Sequence, residues 1–118
     1  MGTLNKLSDL TDSKIIPADA TSLDDLENLV SETMSLFGGK IDFVLHSIGM
    51  SVNVRKGNLY TQQKYDWTIK GLDVSALSFH KLMQVLYNSD SIEEWGSIVA
   101  LSYICLLYTS DAADDDVR

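Results

Sequence analysis

Phe43-Val-Leu-His-Ser-Ile-Gly-Met50 decides the fold of this chain. Ile41 to Leu45 is a run of large apolar residues interrupted only by Asp42, and it passes without a spacer into the polar and glycine turn His46-Ser-Ile-Gly49. A short apolar run halted by such a turn reads as a buried strand of a parallel sheet. A second run of the same kind, Ser97-Ile-Val-Ala-Leu-Ser-Tyr103, ends in a pair of hydroxyl residues.

The stretches around these two runs have helical periods. Leu23, Leu26, Leu29, Val30 and Met34 line one face of a helix that Ser22 caps, that carries Asp24 and Asp25 in its first turn, and that Gly38-Gly39 ends. Between the two strands, Ser47 to Leu59 reads as a loop, and Thr61 or Asp66 is the expected cap of a following helix. Leu77, Lys81/Leu82 and Val85 recur at helical spacing in a helix expected from Val74 to Tyr87. Asn88 to Trp95 reads as a connector, and Gly96 to Leu101 as the last strand. Upstream, Leu4, Leu7 and Leu10 fall on one helical face, and Lys14-Ile-Ile-Pro-Ala18 is expected to be a short strand that Pro17 ends. Strand, helix, strand, helix, strand is the order of a parallel sheet with right-handed crossovers. The fold class is therefore α/β, a partial Rossmann-like doubly wound sheet.

Composition narrows the function classes. At 118 residues the chain is one domain at most. Its net charge of −8 comes with no basic cluster, which removes the electrostatic basis for nucleic-acid binding. Cys105 is the single cysteine, so no disulfide or thiolate metal centre forms within the chain, and His46 and His80 are too few and too far apart for a zinc site. No stretch approaches the ~18 apolar residues of a membrane span, and polar residues close to Met1 break any signal-peptide pattern; the setting expected is cytoplasmic.

Open α/β sheets bind dinucleotides across the carboxyl ends of their strands. His46-Ser-Ile-Gly49 at one strand end and Leu101-Ser-Tyr103 at the next resemble the NADH-dependent enoyl-acyl-carrier-protein reductases, a divergent branch of the short-chain dehydrogenase/reductase superfamily. Ordinary members of the superfamily look like Asn-Asn-Ala-Gly at the first place and carry a catalytic serine at the second. The resemblance runs from about Met1 to Tyr103 and implies strands 3, 4 and 5 of a sheet ordered 3-2-1-4-5-6-7. It also implies that the first two strands, the phosphate-binding turn, a second tyrosine and a lysine lie outside the chain. The implied reaction is reduction of a trans-2-enoyl thioester on acyl carrier protein with NADH, by a parent enzyme that is usually a homotetramer. The chain alone is expected to be inactive. The alternatives are another short-chain reductase acting on carbonyls and a non-catalytic nucleotide-binding module.

The resemblance assigns roles residue by residue. Asp19, which by its place alone either opens a turn or faces a ligand, would accept the adenine amino group, and Ala20 would line the ring. Ser47, Ile48 and Gly49 would meet the adenosine ribose and nicotinamide side of the cofactor, Gly49 by letting the backbone approach closely. Ser51 would contact substrate through its backbone, and Tyr103 would be the first active-site tyrosine, near the acyl thioester. His46 reads as a packed, hydrogen-bonded residue and not as a general acid, while Ser75 and Ser78 face either the active site or its neighbours.

The end of the chain has another character. Cys105-Leu-Leu-Tyr-Thr-Ser-Asp-Ala-Ala-Asp114 resembles the in-frame translation of a transposase-type sequencing adapter. Residues 1–104 are accordingly expected to be a piece of the nucleotide-binding domain, and 105–118 a non-native tail. That tail contributes −3 of the net charge through four aspartates and Arg118.

Overall fold

The structure is a computed structural model, and it describes residues 2–102. Tyr103 and the whole 105–118 tail lie outside the described residues.

The chain opens with helix α1 (Gly2–Thr11) and reaches helix α2 (Leu23–Phe37) through an irregular segment. The ends of α2 are set by the residues that the sequence singles out. The Asp25 N–H donates to Ser22 Oγ at 3.2 Å, and Gly38, at φ +73°, donates its N–H to the Met34 carbonyl at 2.9 Å. A left-handed residue at this place satisfies carbonyls that the helix end leaves open, and glycine adopts it without a Cβ penalty. Strand β1 (Ile41–His46) follows at once. A short helix α3 (Val52–Arg55), a 3₁₀ turn (Tyr60–Gln62) and helix α4 (Tyr65–Leu72) then lead through a π-helical turn (Asp73–Leu77) into α5 (Ser78–Asn88). Strand β2 (Ile92–Ala100) closes the order.

β1 and β2 pair in parallel, with Phe43 opposite Ser97, Val44 opposite Ile98, Leu45 opposite Val99 and His46 opposite Ala100. The Leu101 N–H extends the ladder to the His46 carbonyl at 3.1 Å. β2 starts earlier than its regular part because Ile92 pairs with Ile41, and the residues from Glu93 to Gly96 bulge out opposite Asp42 alone. Trp95 turns this bulge at φ +68° with 95% of its surface exposed. Gly96 is required there by close approach: a Cβ would lie 2.5 Å from Ile92 Cγ2 and 2.9 Å from the Glu93 carbonyl.

The core lies on one face of this two-stranded sheet. Leu26 and Val30 of α2, Ile41 of β1, and Leu82, Val85 and Leu86 of α5 are buried together, with Leu29, Met34, Val44, Ile92 and Ile98 packed around them. Each such aliphatic side chain gains about 1.5–3 kcal/mol on full burial. Phe43, Leu45 and Val99 point to the other face and stay largely exposed among the described residues. The apolar run that made β1 read as buried on both sides is therefore covered on one.

Four expectations change, one of them the connector expected from Asn88 to Trp95, whose last four residues belong to β2 because Ile92 already pairs with Ile41. Lys14 to Ala18 is irregular and not a strand. Neither β1 nor β2 pairs with it, Pro17 has no N–H to give, and an isolated strand has no ladder to stabilise it. Of the three strands expected, two pair. The loop from Ser47 to Leu59 contains α3, and α4 starts from Lys64 and not from Thr61 or Asp66. The helix expected from Val74 is the second half of a rod that begins at Tyr65.

Candidate functional site

Parallel pairing brings the carboxyl ends of β1 and β2 to one edge, where Ser47, Ile48 and Gly49 emerge exposed. The rod α4–α5 backs this turn. The Met50 N–H donates to Ser75 Oγ at 2.9 Å, and the same hydroxyl donates to the Met50 carbonyl at 3.1 Å. Ser75 occupies the π-helical turn, whose extra residue re-aims the side chains of one turn, a device often found at functional sites.

Below the turn, His46 is buried at 3% exposure and its Nε2 lies 2.8 Å from Ser78 Oγ. Ser78 Oγ donates its one hydrogen to the Val74 carbonyl at 2.6 Å, so Nε2 carries the hydrogen of the shared bond. The His46 ring also packs obliquely on Phe79, centroids 5.2 Å apart. His46 is thus a packed, hydrogen-bonded residue, as its sequence context suggests.

Ser51 caps α3, accepting the Val54 N–H at 3.3 Å. The neighbouring Asn53 organises the whole loop from a position that is 1% exposed. Its Oδ1 accepts from the Lys64 N–H at 2.9 Å and from Asn58 Nδ2 at 3.0 Å, while its Nδ2 donates to Thr68 Oγ1 at 3.1 Å and the Lys64 carbonyl at 3.3 Å. Sequence reading passed over Asn53 because an asparagine in a polar loop carries no periodic signal.

Asp19 opens the turn before α2. Its Oδ1 accepts from the Thr21 N–H at 2.9 Å and from Thr21 Oγ1 at 2.7 Å, and its own N–H donates to Asp25 Oδ2 at 2.8 Å. The backbone bond from Thr21, then the hydroxyl bond, hold the Asp19 carboxyl below its ordinary pKa, so it is ionised at neutral pH. Lys81 of α5 ties this turn to the rod, donating to the Thr21 carbonyl at 2.8 Å. Asp19 is exposed and Ala20 half-buried in this turn. A concavity of about 690 Å³ lined by Met83, Leu86, Tyr87 and Ile92 lies at the opposite end and includes none of these residues.

Residues 1–113 match the family model described as enoyl-(acyl carrier protein) reductase. The chain belongs to this family. FabI from Alistipes finegoldii, solved as a crystal structure, is 55% identical at a TM-score of 0.87, over 98% of this chain and 46% of its own. The structure of the FabI–NADH complex from the same organism is 50% identical at a TM-score of 0.85, over 97% and 42%. Enoyl-[acyl-carrier-protein] reductase (NADH) from Aquifex aeolicus, 21% identical at a TM-score of 0.75 over 87% and 40%, shares the fold. The chain spans less than half the length of these enzymes. No curated protein matches it.

Proposed function

We propose that this chain is the part of an NADH-dependent enoyl-acyl-carrier-protein reductase that holds the adenine and nicotinamide sides of the cofactor. The observation that carries the reading is the exposed Ser47-Ile-Gly49 turn at the carboxyl edge of a parallel pair, in a chain 55% identical to a FabI. Fit to the cofactor supports it. The turn offers exposed backbone at Gly49 and an apolar surface at Ile48, and Asp19 offers an ionised, exposed carboxylate in the turn that Lys81 ties to the rod. The second Alistipes structure contains NADH, which favours that nucleotide over its phosphate. The pyrophosphate is not provided for: among the described residues no glycine-rich turn opens a helix.

In this reading Asp19 and Ala20 take the adenine, Ser47 to Gly49 the ribose and nicotinamide side, and Ser51 the substrate. Tyr103 stands beside the thioester of an enoyl chain carried by acyl carrier protein. The nicotinamide, when bound, supplies the hydride, and the protein's task is to place it. The developing enolate needs positioned donors. No lysine follows Lys81, so the lysine that the resemblance calls for is not supplied by this chain. Activity, a homotetrameric parent, a cytoplasmic setting and the foreign origin of residues 105–118 all belong to the proposal. The adapter-like run from Cys105 to Asp114 supports the last.

The test is a transplant. Residues 2–102, placed over the matching stretch of the Alistipes finegoldii FabI, should preserve NADH-dependent reduction of a crotonyl thioester. The 118-residue chain alone should neither turn over nor bind NADH saturably by nicotinamide fluorescence. An inactive, folded transplant would overturn the functional reading. Micromolar binding by the chain alone would overturn the claim that it needs the remainder.

A further inference from the structure

We infer that Ser75 is a positioning residue for the reaction: it fixes both peptide groups of Met50, the residue that separates the cofactor-facing turn from the substrate-facing residue. The inference rests on the functional reading above.

One hydroxyl here serves both polar groups of one residue. Ser75 Oγ accepts the Met50 N–H at 2.9 Å and donates to the Met50 carbonyl at 3.1 Å, which uses its one hydrogen and one lone pair. The helix backbone presses on the same residue. A Cβ at Gly71 would lie 3.1 Å from the Met50 carbonyl oxygen and 3.9 Å from Ser51 Cα. Ser75 also borders the turn, since a Cβ at Gly49 would lie 4.0 Å from its Oγ.

Gly71, Ser75 and Ser78 follow one another at spacings of four and three, so they share one stripe of the rod. The stripe meets Met50 twice and His46 once, gripping the end of β1 and the turn beyond it. Met50 stands between Gly49 on the cofactor side and Ser51 on the substrate side. Holding the two peptide planes that meet at Met50 sets the distance and angle between the two. Placement matters steeply for hydride transfer, because an error of about 1 Å costs on the order of a hundredfold in rate.

Two measurements test this. In the 118-residue chain, Ser75→Ala should speed hydrogen exchange of the Met50 amide by about tenfold, and Ser75→Thr should restore protection. In the FabI transplant, Ser75→Ala should lower kcat about tenfold, change the KM for NADH by less than about threefold, and raise the deuterium isotope effect with nicotinamide-deuterated NADH. Ser75→Thr should recover both. A loss of folded enzyme would lower kcat without raising the isotope effect. An unchanged Met50 amide, or faster exchange with unaltered kinetics, would overturn the inference. An inactive transplant with Ser75 intact would overturn the functional reading, and this inference with it.

Discussion

Lys81 Nζ donates to the Thr21 carbonyl at 2.8 Å across 60 residues of sequence, and the same ammonium lies 3.3 Å from Asp73 Oδ1. This half-buried lysine joins the turn that carries Asp19 to the rod that backs Ser47–Gly49. It sets the separation of two surfaces that no local sequence rule relates.

Lys81→Met keeps the aliphatic stem and removes the ammonium. It should lower the stability of the chain by about 1–2 kcal/mol, the lower part of the range for a charge-assisted hydrogen bond because water reaches the site. Urea unfolding measures it. A change below about 0.5 kcal/mol would show that Lys81 does not hold the turn.

Asp19 has its folded pKa depressed, first by the Thr21 backbone N–H and then by the Thr21 hydroxyl. A depressed carboxylate stabilises the fold above its unfolded pKa, and that contribution disappears as pH falls through the folded value. The Asp19 turn should therefore be intact at neutral pH and weaken only in acid, below about pH 4. Carboxyl NMR titration should give a midpoint below that of a free aspartate. Thr21→Val, which keeps the N–H and removes the hydroxyl, should raise the midpoint part of the way back.

Ser78→Ala leaves the buried His46 Nε2–H without its acceptor. The expected cost is about 1–3 kcal/mol of stability, that of an unsatisfied buried donor. Thermal unfolding of the variant tests it. An unchanged melting temperature would mean that the imidazole re-pairs and that the Ser78 bond does not fix it.

Asn53→Ala removes the partner of four hydrogen bonds from a fully buried position. It should cost about 2–3 kcal/mol and loosen the 51–64 loop first, because that loop has no other buried polar anchor among the described residues. Hydrogen exchange at the Lys64 amide, which donates to Asn53, reports it directly.

The bulge in β2 separates two neighbours by sign. Gly96→Ala should destabilise by about 1–3 kcal/mol, because its new Cβ meets the Glu93 carbonyl and Ile92. Trp95→Gly should stabilise by about 1 kcal/mol or more, since it relieves a positive φ at a side chain that packs on nothing. Denaturant midpoints compare them. Equal signs would refute the reading of the bulge.

By itself the sequence determined α2 with both its caps, β1 up to the turn, the helix in the crossover and the parallel sense of the two strands. These follow from a period, a cap or a glycine, all carried within a few residues of where they act. His46 was legible as a packed residue for the same reason, as it ends a buried run. Tertiary structure decided what depends on partners far along the chain. Lys14–Ala18 has strand composition, yet without a paired neighbour its backbone hydrogen bonds have no ladder to enter. Ser75, Lys81 and Asn53 acquire roles only because the rod Tyr65–Asn88 lies against the carboxyl end of β1, bringing Met50 to Ser75 and Thr21 to Lys81. Hydrogen bonds across 25 and 60 residues are selected by packing, and packing is set by the buried faces of α2, α5 and the sheet together.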